Sequence, residues 1–137
     1  MGGKQKILVV DDDAIYRRLL TSRLTRAGYE ILMANDGREA ISWLRHPHQR
    51  PDLVLLDLLM PRFSGIEVLE AIKALPYKLP VILISGAEWP IARQVLQQSS
   101  PDAYLMKPIA IPELLDKIET LLQPAQEVNE SSSFLSE

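Results

Sequence analysis

Apolar positions along this chain follow two alternating rhythms. Short, nearly unbroken runs stand at "ILVV" (7–10), "EILMA" (30–34), "DLVLL" (52–56), "VILIS" (81–85) and "AYLM" (103–106). Aliphatic and β-branched runs of this length predict strands, and the continuous "LVLL" and "VILI" predict strands buried on both faces. Between them, apolar residues recur every three or four positions, the spacing of one helix face. Ile15, Leu19, Leu24 and Ala27 line the inward side of a first helix, and Gly28 stops it. "NDGREAISWL" supplies a turn and a second helix with Ala40, Ile41 and Leu44 inward. "GIEVLEAIKAL" supplies a third with Ile66, Leu69, Ile72 and Leu75. "PIARQVLQQ" is a shorter, more polar fourth helix. "IPELLDKIETLLQP" is a fifth, with Pro112 in its first turn and Pro124 marking its end.

Strict alternation of five strands and five helices predicts a parallel sheet covered on both faces. The doubly wound, flavodoxin-like α/β arrangement of this size takes strand order 2-1-3-4-5. Its ligand crevice opens at the carboxyl ends of strands 1 and 3, where the winding reverses. Those ends carry Asp11, Asp12, Asp13 and Asp57. Residues 5–123 form one domain on this reading. The polar, aperiodic segment 124–137 reads as a flexible tail or the stub of a linker.

Composition narrows the function. With 137 residues, 47% hydrophobic and 24% charged, the chain has the means for one packed core. A net charge of −3 without a basic stripe argues against direct nucleic-acid binding. The absence of cysteine excludes disulfides and thiolate metal sites. "MGGKQK" lacks the apolar core of a signal peptide, and "LVLLDLLM" is too short to span a membrane. A cytoplasmic protein that does not engage the membrane is expected.

The opening stretch "ILVVDDDAIYRRLL" runs an apolar strand straight into three carboxylates. At roughly 4 Å and an effective dielectric near 20, each like-charge pair costs up to about 4 kcal/mol. Something must offset that repulsion, and a bound cation is the first candidate. Asp13, just before the first helix, has a separate structural use as its N-cap. Asp57 lies inside an apolar stretch, where its bland use is to cap a strand-end turn. The topology instead brings it to the mouth that holds Asp11 and Asp12. Oxygen ligands without His or Cys suit Mg²⁺. Ser85 ends strand 4 and Lys107 ends strand 5 at the same edge. Carboxylates, Mg²⁺, a hydroxyl and a lysine make a phosphoryl-transfer site, and an aspartate can itself carry the phosphoryl group.

Four pieces, "ILVVDDD", "DLVLLDLLMPRFSGIEVL", "VILISG" and "AYLMKP", stand in an order and spacing that resembles the receiver domain of bacterial two-component response regulators. The likeness runs from residue 5 to about 123, and "DLLMPRFSG" is its most specific part. The resemblance implies that Asp57 is the phosphoacceptor, served by a sensor histidine kinase or phosphotransfer protein. It implies that Asp12, Asp57 and the backbone carbonyl of Leu59 bind Mg²⁺ directly, with Asp11 acting through metal-bound water. Ser85 and Lys107 then bind phosphoryl oxygens, and the Lys107–Pro108 bond is cis. Ser85 and Tyr104 are the implied switch residues. Their movement reshapes the face made by the fourth helix, fifth strand and fifth helix, which controls a downstream partner or attached effector domain and is the place for a homodimer. The resemblance implies a switch rather than an enzyme, limited to self-phosphorylation from small acyl phosphates and slow autodephosphorylation. Leu59 and Ala87 flank the attack path and cannot hydrogen-bond a hydrolytic water, so a slowly decaying phosphoaspartate is expected. "QQSSPDAY" replaces the family's frequent glycine at the end of the fourth helix.

Other readings compete. "VVDDDAI" also fits a haloacid-dehalogenase-like phosphohydrolase, with Asp11 as nucleophile and Asp13 as general acid. That enzyme needs a further acidic pair after the lysine strand, which "MKPIAIPELL" lacks until Glu113, and it leaves Asp57 unexplained. A receiver-like module that binds partners without phosphorylation is a third reading, opposed by the complete acidic set and Lys107. His46 and His48 in "RHPHQRP" have metal-pair spacing but no third ligand nearby. Trp43 reads as core or rim packing, and Trp89 as a loop anchor.

Overall fold

The computed structural model describes residues 3–58, 65–86 and 100–123. Five strands, β1 (Lys6–Val10), β2 (Glu30–Ala34), β3 (Leu53–Asp57), β4 (Val81–Ser85) and β5 (Ala103–Met106), form one sheet. Its order is β2-β1-β3-β4-β5 and every neighbouring pair is parallel, so the expected fold is the one observed. Four helices are described: α1 (Ala14–Arg26), α2 (Gly37–Leu44), α3 (Gly65–Lys73) and α4 (Ile111–Leu122). Here α4 is the fifth helix of the sequence reading; the segment expected to form the fourth, 90–98, lies outside the described residues, as does 124–137.

Side chains of the central strands alternate between two apolar layers, as the period of two requires. Leu8, Val10, Val54, Leu56, Val81 and Leu83 meet Ala40 of α2 and Val68, Leu69 and Ile72 of α3. Ile7, Val9, Leu53, Leu55, Ile82 and Ile84 meet Leu20 and Leu24 of α1 and Leu114 and Ile118 of α4. Both layers are buried, which is why "LVLL" and "VILI" show no polar alternation.

Two expectations need correction. The third strand begins and ends one residue later than 52–56, with the Asp52 carboxylate, in place of a backbone carbonyl, accepting the N–H of Lys6 at 2.7 Å. The first helix is turned relative to its expected phase. Ile15 is 81% exposed and Leu19 and Ala27 also face out, while Tyr16, Leu20 and Leu24 form the inward row. The stop at Gly28 holds: its φ is 105°, Gly28 N donates to Thr25 O and Tyr29 N donates to Leu24 O, closing the helix end.

Candidate functional site

The carboxyl ends of β1 and β3 are neighbours in the sheet, since Val10 pairs with Leu56. One residue further along each strand come Asp11 and Asp57, both buried, at 2% and 6% exposure. Asp12 stands beside them, exposed. One carboxylate oxygen from each of the three lies within 4.8 Å of the others. Among the described residues this is the one group of at least three acidic, histidine or cysteine side chains close enough to share a metal ion.

Local geometry fixes these side chains. Asp11 Oδ1 accepts the N–H of Asp13 at 2.9 Å, while its own carbonyl accepts from Arg17 Nη1 at 2.6 Å. Arg17 also reaches Asn35 Oδ1, tying the loop after β1 to the end of β2. Asp13 is the N-cap of α1, its Oδ1 accepting from the amides of Ile15 and Tyr16. Beyond β3, Leu58 N donates to Ile84 O and Gly65 N to Leu58 O. A Cβ on Gly65 would stand 2.7 Å from the Leu58 carbonyl oxygen and press on that of Asp57, so only glycine lets α3 start this close to the acidic pocket.

Lys107 brings the cation. Its backbone N–H donates to Ser85 O at 2.8 Å, extending the β4–β5 ladder past its end. Its ammonium lies 3.1 Å from Asp11 Oδ2 and 3.7 Å from Asp57 Oδ2. Burial alone would pull the lysine pKa down. The hydrogen bond to Asp11 and the charges of Asp57 and Asp11 outweigh it and hold Lys107 above its ordinary value. Two of the three carboxylates, Asp11 and Asp57, therefore share one ammonium, with Asp12 standing beside them.

Ser85 is buried at the end of β4, the strand beside β3. Tyr104, opposite Leu83, is half-buried against the layer that α2 and α3 cover. The Lys107–Pro108 peptide is cis, as the resemblance implied. Leu59, Ala87 and Trp89 lie outside the described residues. The pocket therefore gathers Asp11, Asp12, Asp57 and Lys107 from three separate segments.

A model of the family described as "Response regulator receiver domain" matches residues 7–119. The chain belongs to the response regulator receiver family. The response regulator MprA of Mycolicibacterium vanbaalenii is 37% identical over 118 residues, 86% of this chain and 50% of that protein. The probable transcriptional regulator ycf27 of Porphyridium aerugineum is 33% identical, covering 96% of this chain and 53% of that protein. This receiver thus spans about half the length of the curated relatives it matches. Among solved structures it is similar to the response regulator TrrA of Thermotoga maritima, in complex with Mg(2+)-BeF. The two share 36% identity with a TM-score of 0.77, over 86% of this chain and 99% of that one. A CheY-like receiver domain protein from Methanospirillum hungatei gives 28% and a TM-score of 0.79, over 88% and 94%.

The family removes the main ground for a phosphohydrolase, and Asp13 adds a second objection. The carboxylate needed there as general acid is occupied as a helix cap. His46 Nδ1 accepts from the amide of His48, and the His46 ring lies 6.0 Å from that of Trp43. Trp43 packs at the core's edge, as expected, and donates Nε1–H to Met33 O. No described helix is long and apolar enough to cross a membrane. Sequence reading missed Arg17 and Tyr16. The row Tyr16, Leu20, Leu24 at four-residue spacing was the available signal for the second.

Proposed function

We propose that this receiver is a phosphorylation-dependent signalling switch with Asp57 as phosphoacceptor. The observation that carries the reading is the convergence of Asp11, Asp12 and Asp57 beside the ammonium of Lys107. An all-oxygen set at these separations fits a hard divalent cation, Mg²⁺. Asp12, Asp57 and the carbonyl of Leu59 are its direct ligands in this account, with Asp11 acting through bound water. When bound, Mg²⁺ neutralises charge on the carboxylates and on the incoming phosphoryl oxygens. The relative TrrA, in complex with Mg(2+)-BeF, supports that choice of cation.

A carboxylate oxygen of Asp57 attacks the phosphorus of a phosphohistidine on a sensor histidine kinase or phosphotransfer protein. The P–N bond breaks, its electron pair returns to the imidazole, and an acyl phosphate forms on Asp57. Lys107 pairs with one phosphoryl oxygen and the Ser85 hydroxyl donates to another. Those contacts exist only in the phosphorylated state, so they bias a two-state equilibrium in which Ser85 and Tyr104 move. In this account the change reaches the face that β5 and α4 contribute to, which controls a downstream protein or attached effector domain and offers a homodimer surface. Residues 5–123 are the receiver domain in this account. Apolar Leu59 and Ala87, two positions after Asp57 and Ser85 in the sequence, cannot hydrogen-bond a hydrolytic water, so the phosphoaspartate decays slowly in this account.

Intact mass after incubation with a small acyl phosphate and Mg²⁺ tests the reading. One phosphoryl adduct is expected on wild type, dependent on Mg²⁺ and absent from Asp57→Asn. An adduct that survives Asp57→Asn and disappears in Asp11→Asn overturns the assignment in favour of a phosphohydrolase. No adduct on wild type leaves a binding module that works without phosphorylation.

A further inference from the structure

Lys107 has a third neighbour besides its two carboxylates. Its ammonium sits 4.5 Å from the ring centroid of Tyr16, within the range of a cation–π contact. The hydroxyl of the same tyrosine accepts the backbone N–H of Ile109 at 3.0 Å. Tyr16 therefore holds the loop after β5 at two points, one at the lysine and one just past Pro108. The other end of the arrangement is equally tied. Tyr16 N donates to Asp13 Oδ1, and Asp13 N donates to Asp11 Oδ1. A short hydrogen-bonded path thus runs from the acidic loop of β1, through the first turn of α1, to the lysine loop of β5.

We infer that Tyr16 is a positioning residue for phosphoryl capture, holding the Lys107 ammonium between Asp11 and Asp57 where an arriving phosphoryl oxygen meets it. The inference rests on the phosphoacceptor reading above and adds a residue to it. A lysine stem is long and has many rotamers, so ordering it costs conformational entropy. The ring face and the anchored loop restrict that freedom before any phosphoryl group arrives. Coulomb attraction to Asp11 alone does not, because the ammonium can follow one carboxylate away from the other. The side chain of Tyr16 contacts Lys107 and the amide of Ile109, so its role runs through Lys107.

The test is a cycle in the full chain: wild type, Tyr16→Phe, Tyr16→Leu, Lys107→Ala and Tyr16→Leu/Lys107→Ala. The readouts are the rate of phosphoryl uptake from a small acyl phosphate, beryllofluoride affinity and Mg²⁺ affinity. Tyr16→Leu should weaken beryllofluoride binding and slow uptake by roughly three- to tenfold, the size of a partly desolvated cation–π contact. Tyr16→Phe keeps the ring and loses only the loop hydrogen bond, so it should fall between. Mg²⁺ affinity should not change, and Tyr16→Leu should have no effect once Lys107 is alanine. Equal behaviour of wild type, Tyr16→Phe and Tyr16→Leu overturns the inference, as does an undiminished Tyr16→Leu effect in the Lys107→Ala background. A wild-type chain that takes neither phosphoryl group nor beryllofluoride overturns the underlying reading itself, and the inference with it.

Discussion

Aspartates stand at both ends of the sheet, and the two ends use them in opposite ways. At the amino end each carboxylate seals one neighbouring strand. Lys6 N donates to Asp52 Oδ2 at 2.7 Å while Asp52 N donates to Lys6 O at 2.8 Å. Val81 N donates to Asp102 Oδ2 at 2.8 Å, Asp102 N returns a bond to Val81 O, and Lys78 pairs with Asp102 Oδ1 at 2.9 Å. At the carboxyl end Asp11, Asp12 and Asp57 crowd together, and Asp11 and Asp57 share Lys107. Isolated, satisfied carboxylates strengthen a fold; crowded ones weaken it until a cation arrives. Clustering of carboxylates around one ammonium is therefore what separates the site from the seam in this molecule.

The comparison can be broken most forcefully with the cation itself. Mg²⁺ at a hundred times its dissociation constant should raise wild-type stability by about 2.7 kcal/mol in urea unfolding. Asp12→Asn should shrink that gain sharply while leaving metal-free stability no lower. At the other end, Asp102→Asn should lower stability by about 1–2 kcal/mol, since a half-buried amide loses its charged acceptor. The response to Mg²⁺ should be unaffected. Burial raises the Asp102 carboxyl pKa, but the bonds from Val81 and Lys78 more than reverse this and leave it below the ordinary carboxylate value. Its stabilisation is therefore complete above that ordinary value and fades as pH falls through the lowered one. The gap between wild type and Asp102→Asn should accordingly close in acid, which unfolding curves across pH would reveal. Asp13→Ala sharpens the distinction between neighbours in one acidic run. It should cost about 1 kcal/mol through the lost cap of α1, with phosphoryl uptake retained.

The strands and the acidic pocket were legible because both follow from order along the chain. Apolar runs declare buried parallel strands, and the winding rule then says which strand ends meet. Asp11, Asp57 and Lys107 could be placed together without any contact being seen. The face of α1 was not legible in the same way. Its apolar residues, Ile15, Tyr16, Leu19, Leu20 and Leu24, spread over a wide arc, and spacing alone does not say which side meets the sheet. The choice is consistent with Tyr16 bonding to Ile109, 93 residues away, a partner that no local pattern announces. Arg17 was missed for a related reason, since its target at Asp11 is a backbone carbonyl.

The most direct test of the account is urea unfolding of wild type and Asp57→Asn at neutral pH, each with and without Mg²⁺. Without metal, Asp57→Asn should be the more stable chain, because it relieves the crowding. With Mg²⁺ the order should invert, wild type gaining strongly and Asp57→Asn much less. A wild type that is already the more stable chain without metal and unmoved by Mg²⁺ would contradict the claim that these carboxylates form a cation site.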